Sequence, residues 1–161
     1  MLLTPPTYLE AESIEGLYVC TVPPMRTRRV GRNGKITDNI KLHPSLNEWT
    51  GMHHMEKAAY KLMWEKWYKT YFTVNHLPRF QGQIYMAIIY WFPDNQRRDY
   101  DNYTPKFLMD ALVSYGAITD DSDKVLAAAP FMAHRHNEIP HTLLVFTQSR
   151  ELFLDVIESF I

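Results

Sequence analysis

The sequence predicts an α+β fold, a small mixed β-sheet of about four strands packed against two main helices. Three observations carry this expectation. Residues 52–71 run without Gly or Pro and repeat apolar side chains at helical spacing. Residues 83–92 form a dense run of β-branched and aromatic residues. Two more strand-like segments, 124–134 and 141–147, follow a second helical stretch.

In chain order, residues 1 to about 40 read as an N-terminal extension, and 41–161 as the main domain. The extension is acidic at Glu10, Glu12 and Glu15 and apolar from Leu17 to Val22, a candidate edge strand. A basic stretch from Arg26 to Lys35 with the turn signal Asn33-Gly34 follows, read as an arm that orders on a polyanion. His43-Pro44-Ser45-Leu46-Asn47 is a turn by composition, with Asn47 a candidate cap. It leads into the first main helix, where Met52, Met55, Ala59, Leu62 and Met63 share one side and Lys57, Lys61 and Tyr68 fall on another. Trp64 and Trp67 belong to a core or an interface. The strand over 83–92 is stopped by Pro93-Asp94-Asn95. Thr104 is placed to cap the second main helix, with Pro105 at its first position and Gly116 at its end. The strands over 124–134 and 141–147 are joined by a hairpin-like connection through residues 135–140, and Ser149 caps a closing helix over 149–160.

Composition narrows the function classes. The chain of 161 residues is 46% hydrophobic, and its longest apolar run, Ile84 to Phe92, falls well short of the roughly 20 residues that cross a bilayer. Pro5 and Pro6 interrupt the first residues and no basic segment precedes them, which argues against a secretory signal. Cys20 is the single cysteine, so no intramolecular disulfide forms, and a reducing cytoplasm is the expected compartment. Net charge is −1, yet between Met25 and Lys69 ten Lys or Arg face four acids, while acids gather between Asp94 and Asp123. A cationic half beside an anionic cluster suits a protein that grips phosphates with one region and holds metal with another; differently charged solvated faces give the same pattern.

The chemistry is concentrated in Arg97-Arg98-Asp99-Tyr100-Asp101-Asn102, then Lys106, Asp110 and Asp120-Asp121. On an extended backbone Asp99 and Asp101 point to one side, an uncomfortable pair unless a cation sits between them. Magnesium takes a few carboxylate oxygens plus waters and phosphates, so this pair with one further aspartate suffices. Asp121, past the intervening helix, is expected to return to the same sheet end. Asp110 reads as an exposed or locally bonded charge, Asp123 as a loop charge and Asp120 as a possible support behind a metal ligand. Asn102 reads as a turn stabiliser. His53 with His54, and His134 with His136, lack the spacing or the third ligand of a zinc site.

The set Asp99-Tyr100-Asp101-Asn102, Lys106, Met109-Asp110-Ala111-Leu112, Gly116 and Asp120-Asp121 resembles the RusA family of Holliday junction resolvases, which is common in phages and prophages. Pro44-Ser45-Leu46-Asn47 matches the family's upstream turn, so the resemblance covers roughly residues 40–148. It implies a RusA-like homodimer that resolves branched DNA, above all four-way junctions, by paired magnesium-dependent incisions in a bacterial host cytoplasm. It implies that Asp99, Asp101 and Asp121 ligate Mg2+, with Mn2+ as a substitute, and that Lys106 is the catalytic or phosphate-contacting lysine. Arg97, Arg98, Lys57 and Lys61 are the candidate DNA contacts. The chain departs from the family by one extra residue between Asn102 and Lys106, beside Pro105, which shifts the helix start. Two other readings stay open on the residues alone. One is a branched-DNA-binding module without catalysis. The other is a metal-dependent nucleotidyl or glycosyl transferase using Asp-x-Asp, although no Gly-rich phosphate loop is present.

Overall fold

The computed structural model describes residues 14–161, so the Met1–Pro6 segment and the acidic Glu10 and Glu12 lie outside the described residues. Its architecture is α+β: a mixed four-stranded sheet, a separate two-stranded hairpin and, among the described residues, four helices. The elements are β1 (Leu17–Val22), β2 (Met25–Val30), β3 (Ile36–Lys41), α1 (Leu46–Gly51), α2 (His54–Val74), β4 (Tyr85–Phe92), a 3-10 turn (Tyr100–Asn102), α3 (Lys106–Tyr115), β5 (Phe131–His136), β6 (His141–Thr147) and α4 (Arg150–Glu158). No helix among the described residues is long and apolar enough to cross a membrane.

The sheet order is β1-β6-β4-β5. β4 pairs antiparallel with β6 and parallel with β5, and β1 forms the other edge against β6. The two central strands are apolar nearly throughout because both of their faces are covered. Met86, Ile88 and Tyr90 of β4 pack with Trp64, Tyr68 and Phe72 of α2 and Leu108 and Leu112 of α3. Ala87 and Ile89 face the other way, against Phe153 and Val156 of α4. The sheet is thus the middle of three layers.

Several expectations change here. Leu17–Val22 is an edge strand, as its composition indicates, but it is a full member of the main sheet. The basic stretch is not an irregular arm: it folds with residues 36–41 into the β2–β3 hairpin. The hairpin-like connection between β5 and β6 is not a strand pairing, because β4 lies between them. β6 carries the longer unbroken apolar run and takes an interior place, whereas β5, with His134, Arg135 and His136, tolerates an edge. β5 also begins only at Phe131, after Pro130.

The helix over 52–71 forms as α2, but with another side inward. The buried residues are Tyr60, Trp64, Tyr68 and Phe72, four-residue steps along one stripe. Met55 is 71% exposed and Leu62 50%, with Ala59 also exposed. Aromatic rings bury more area per residue, so their stripe wins the core and leaves the Met–Ala–Leu stripe uncovered in the single chain.

Candidate active site at one end of the sheet

β1 and β4 run in the same direction, and both finish at the end of the sheet where Asp99, Asp101 and Asn102 lie. After Phe92, Asp94 closes a turn: its Oδ1 accepts the Gln96 N–H at 3.0 Å and a guanidinium N–H of Arg98 at 2.6 Å. These two contacts hold the Asp94 carboxyl below the usual carboxylate range. Arg98 also lies 3.8 Å over the Phe92 ring and is only 18% exposed. It therefore braces the turn instead of standing free for DNA. Arg97 is 94% exposed and approaches Asp99 at 3.6 Å.

Asp99 is extended and precedes the 3-10 turn that holds Asp101. The expected extended Asp-x-Asp spacing is therefore replaced by a tight turn, although both carboxylates are exposed at the same corner. What fixes the corner is Asn102. Its Oδ1 accepts from Ser45 Oγ at 3.2 Å and from the Asn47 N–H at 3.1 Å. Ser45 also bridges to Tyr103 and caps α1 by accepting the Glu48 N–H. The turn over 44–47 and the motif over 99–102 thus form one structural unit. Ser45, not Asn47, is the cap, and Asn102 stabilises a neighbouring turn as well as its own.

Lys106 opens α3, and Thr104 Oγ1 accepts its N–H at 3.3 Å. The Lys106 ammonium lies 3.7 Å from Asp110, one helical turn on, and the Lys61 ammonium lies 2.8 Å from the same oxygen. Lys61, offered by the sequence as a DNA contact, is thus half of a structural α2–α3 ion pair. Lys57 sits 5.1 Å over the Trp49 ring. The function of Asp110 as the acid shared by two lysines was missed at sequence level, although Lys106 and Asp110 have the i, i+4 spacing of a helix pair.

A second set that sequence reasoning missed surrounds the corner. Glu48 accepts from Lys41 at 2.6 Å and from the Tyr60 hydroxyl at 3.1 Å, and Tyr60 in turn accepts the Ser45 N–H. Tyr100 stacks on His134, with ring centroids 4.3 Å apart, and His43 lies 3.8 Å from Tyr103. Burial pushes both His43 and His134 down to about 4, so both are neutral near pH 7. A cavity of about 270 Å³ is lined by Lys41, His43, Ser45, Glu48, Arg98 and Asn102 among others.

Asp121 is elsewhere. Gln83 donates to the Asp123 carbonyl, and Ile84 pairs with Val125 and Ala127, so the Asp120–Asp123 loop lies at the start of β4. Asp99 and Asp101 follow its end. The eight residues of β4 span about 23 Å at roughly 3.3 Å each, and α3, about 15 Å long at roughly 1.5 Å per residue, together with the segment after it carries the chain back toward the start of β4. The expectation that Asp121 returns to the sheet end it left is therefore corrected: a helix after a strand returns the chain to the strand's start. Among the described residues no group of three or more His, Cys, Asp or Glu is gathered for a metal ion. Within one protomer, Asp99, Asp101 and Asp121 do not fit a shared magnesium. Asp120 accepts the Ser122 N–H at 2.8 Å and shapes its own turn, leaving Asp121 exposed.

No protein-family model matches the chain, and no curated protein matches it either.

Proposed function

We propose that the chain is a DNA-directed endonuclease of the RusA type, acting as a homodimer on branched DNA with magnesium as its metal. The observation that carries this reading is the lock made by Asn102. The two motif segments that resemble the family, residues 44–47 and 99–102, are hydrogen-bonded to each other, and Asp99 and Asp101 are exposed at that corner. A tether across 55 residues of sequence that serves only this corner is the arrangement a preorganised site requires.

The separation of Asp121 sets a condition on the reading: the acidic set is completed by two copies. The uncovered stripe of Met55, Ala59 and Leu62 on α2 gives a second copy a surface. A two-fold axis across that stripe sets the α2 helices antiparallel. The reading requires the end of one protomer that carries Asp121 to approach the end of the other that carries Asp99 and Asp101. Hard carboxylate oxygens from both chains suit magnesium, with manganese as a substitute. A four-way junction has approximate two-fold symmetry, which a dimer with two equivalent corners matches.

The test is a synthetic four-way junction incubated with and without Mg2+. Wild-type protein is expected to make paired incisions only with the metal. Asp101→Asn is expected to lower the rate by about 100-fold or more while leaving the fold intact, the scale of losing a group aimed at developing charge. Equal cutting by the folded variant would overturn the reading. The separation of Asp121 also favours a second reading, a junction-binding module without catalysis. Tight junction binding with no cleavage in Mg2+ or Mn2+ would select it.

A further inference from the structure

The β2–β3 hairpin is a strongly basic surface outside the corner just described. Among the described residues it pairs only within itself, in the register Arg26↔Ile40 to Val30↔Ile36, and joins no other sheet. Every residue from Arg32 to Ile40 is exposed. Between Met25 and Lys41 six Lys or Arg face a single acid, Asp38, in a chain whose net charge is −1. Two of the cations are spent inside the protein: Arg28 pairs with Asp38 at 3.2 Å and Lys41 with Glu48. Among the described residues no carboxylate forms an ion pair with Arg26, Arg32 or Lys35, which stand at the root and tip of the ribbon.

The ribbon's position is as telling as its charge. β1 ends at Val22, opposite Thr142, and the chain returns from the hairpin at Leu42, whose carbonyl accepts from the Thr142 hydroxyl at 3.0 Å. The hairpin therefore rises from the same end of the sheet as Asp99–Asn102, and Ile40 and Lys41 line the cavity that Asn102 and Arg98 also line. A lone two-stranded ribbon is marginal in water; this one is anchored at its root by the buried Met25 and the Lys41–Glu48 pair, and from Arg32 to Ile40 it is exposed.

We infer that the β2–β3 hairpin is a duplex-gripping arm that lays into the major groove of B-form DNA and holds one helical arm of the substrate against the corner. A two-stranded ribbon fits a groove about 12 Å wide, whereas the deep, narrow major groove of double-stranded RNA excludes it. Arg26, Arg32 and Lys35 meet the phosphates on the groove walls. Register places Thr27 opposite Asn39 on one side of the ribbon, with Thr37 two residues from Asn39 on that same side, giving it hydrogen-bonding groups for base edges or waters. The inference rests on the DNA-directed reading above but concerns binding, not cleavage.

The test measures binding of the full-length protein to an unbranched DNA duplex in EDTA over a range of salt, so that no cleavage occurs. The triple variant Arg26→Ser/Arg32→Ser/Lys35→Ser is expected to bind at least about 10-fold more weakly. Its salt slope should be smaller by nearly three, since each phosphate contact contributes about 0.9. The matched variant Arg26→Lys/Arg32→Lys should keep most of the affinity and the slope. The control Arg150→Ser, an exposed cation at the start of α4 at the other end of the sheet, should bind as wild type does. Because binding is read without cleavage, failure of the arm is distinguished from failure of the nuclease reading. An unchanged slope in the triple variant overturns the inference, as do equal affinity for double-stranded RNA and a change of oligomeric mass with no change in DNA binding. The last outcome would make the ribbon a contact between copies of the chain.

Discussion

Asn102 is one side chain with two donors aimed at one oxygen, Ser45 Oγ–H and the Asn47 N–H. Asn102→Ala removes that acceptor and frees the corner from α1. A loss of about 1 kcal/mol in urea unfolding is expected, the net worth of a partly exposed hydrogen-bonded group. The two depressed histidines give the protein an acid sensitivity of definite sign. His43 and His134 have folded values lowered from 6.5 to about 4, chiefly by burial. Above pH 6.5 both are neutral folded or unfolded, and stability is full. As pH falls from 6.5 toward 4 the unfolded chain takes up protons that the folded chain refuses, and stability declines. Thermal melts across that window should show the decline, and His43→Phe should flatten part of it. Cys20 is fully buried, with its thiol pushed up to about 12. It should resist alkylation at pH 8 in the native protein and react once urea unfolds it.

At the scale of elements, α2 decides most. Its two stripes make opposite predictions. Trp64 has no exposed surface and packs between Tyr60 and Tyr68, so Trp64→Ala should cost about 3–5 kcal/mol in denaturant unfolding. Leu62→Glu should change the stability of a single chain little but shift the mass in solution from dimer to monomer. A mass unaffected by this change would remove α2 from the dimer contact. The sequence made the helix legible because no Gly or Pro breaks it, but not its inward side. Met, Ala and Leu at helical spacing look like a core stripe, and only the competition with Tyr60, Trp64, Tyr68 and Phe72 for the same sheet reverses the order. The strands divide the same way. β4 and β6 were legible as continuous apolar runs, while their adjacency was not, because a four-residue link between β5 and β6 suggests a hairpin as readily as a crossing over β4. Gly116, left-handed at φ 87°, and Ser149, accepting the Leu152 N–H, end and begin their helices as the local residue types dictate.

At the scale of the whole molecule, sequence spacing gathered the right residues but not their meeting place. Asp99 and Asp101 stand together because they are two residues apart. Asp121 does not join them, because a strand followed by a helix brings the chain back to where the strand began. Local spacing cannot report that reversal; the parallel pairing of β4 with β5 does. The separation turns the functional reading into a statement about two chains, each offering one part of the acidic set at opposite ends of its sheet. The most direct measurement mixes separately purified Asp101→Asn and Asp121→Asn proteins after reversible unfolding together. Random reassortment makes half of the dimers mixed, each with one intact composite corner. Cleavage of a four-way junction in Mg2+ should then return from near zero to about a quarter of the wild-type incision rate. A mixture as inactive as either protein alone, under conditions where wild type cuts, would contradict a site shared between protomers.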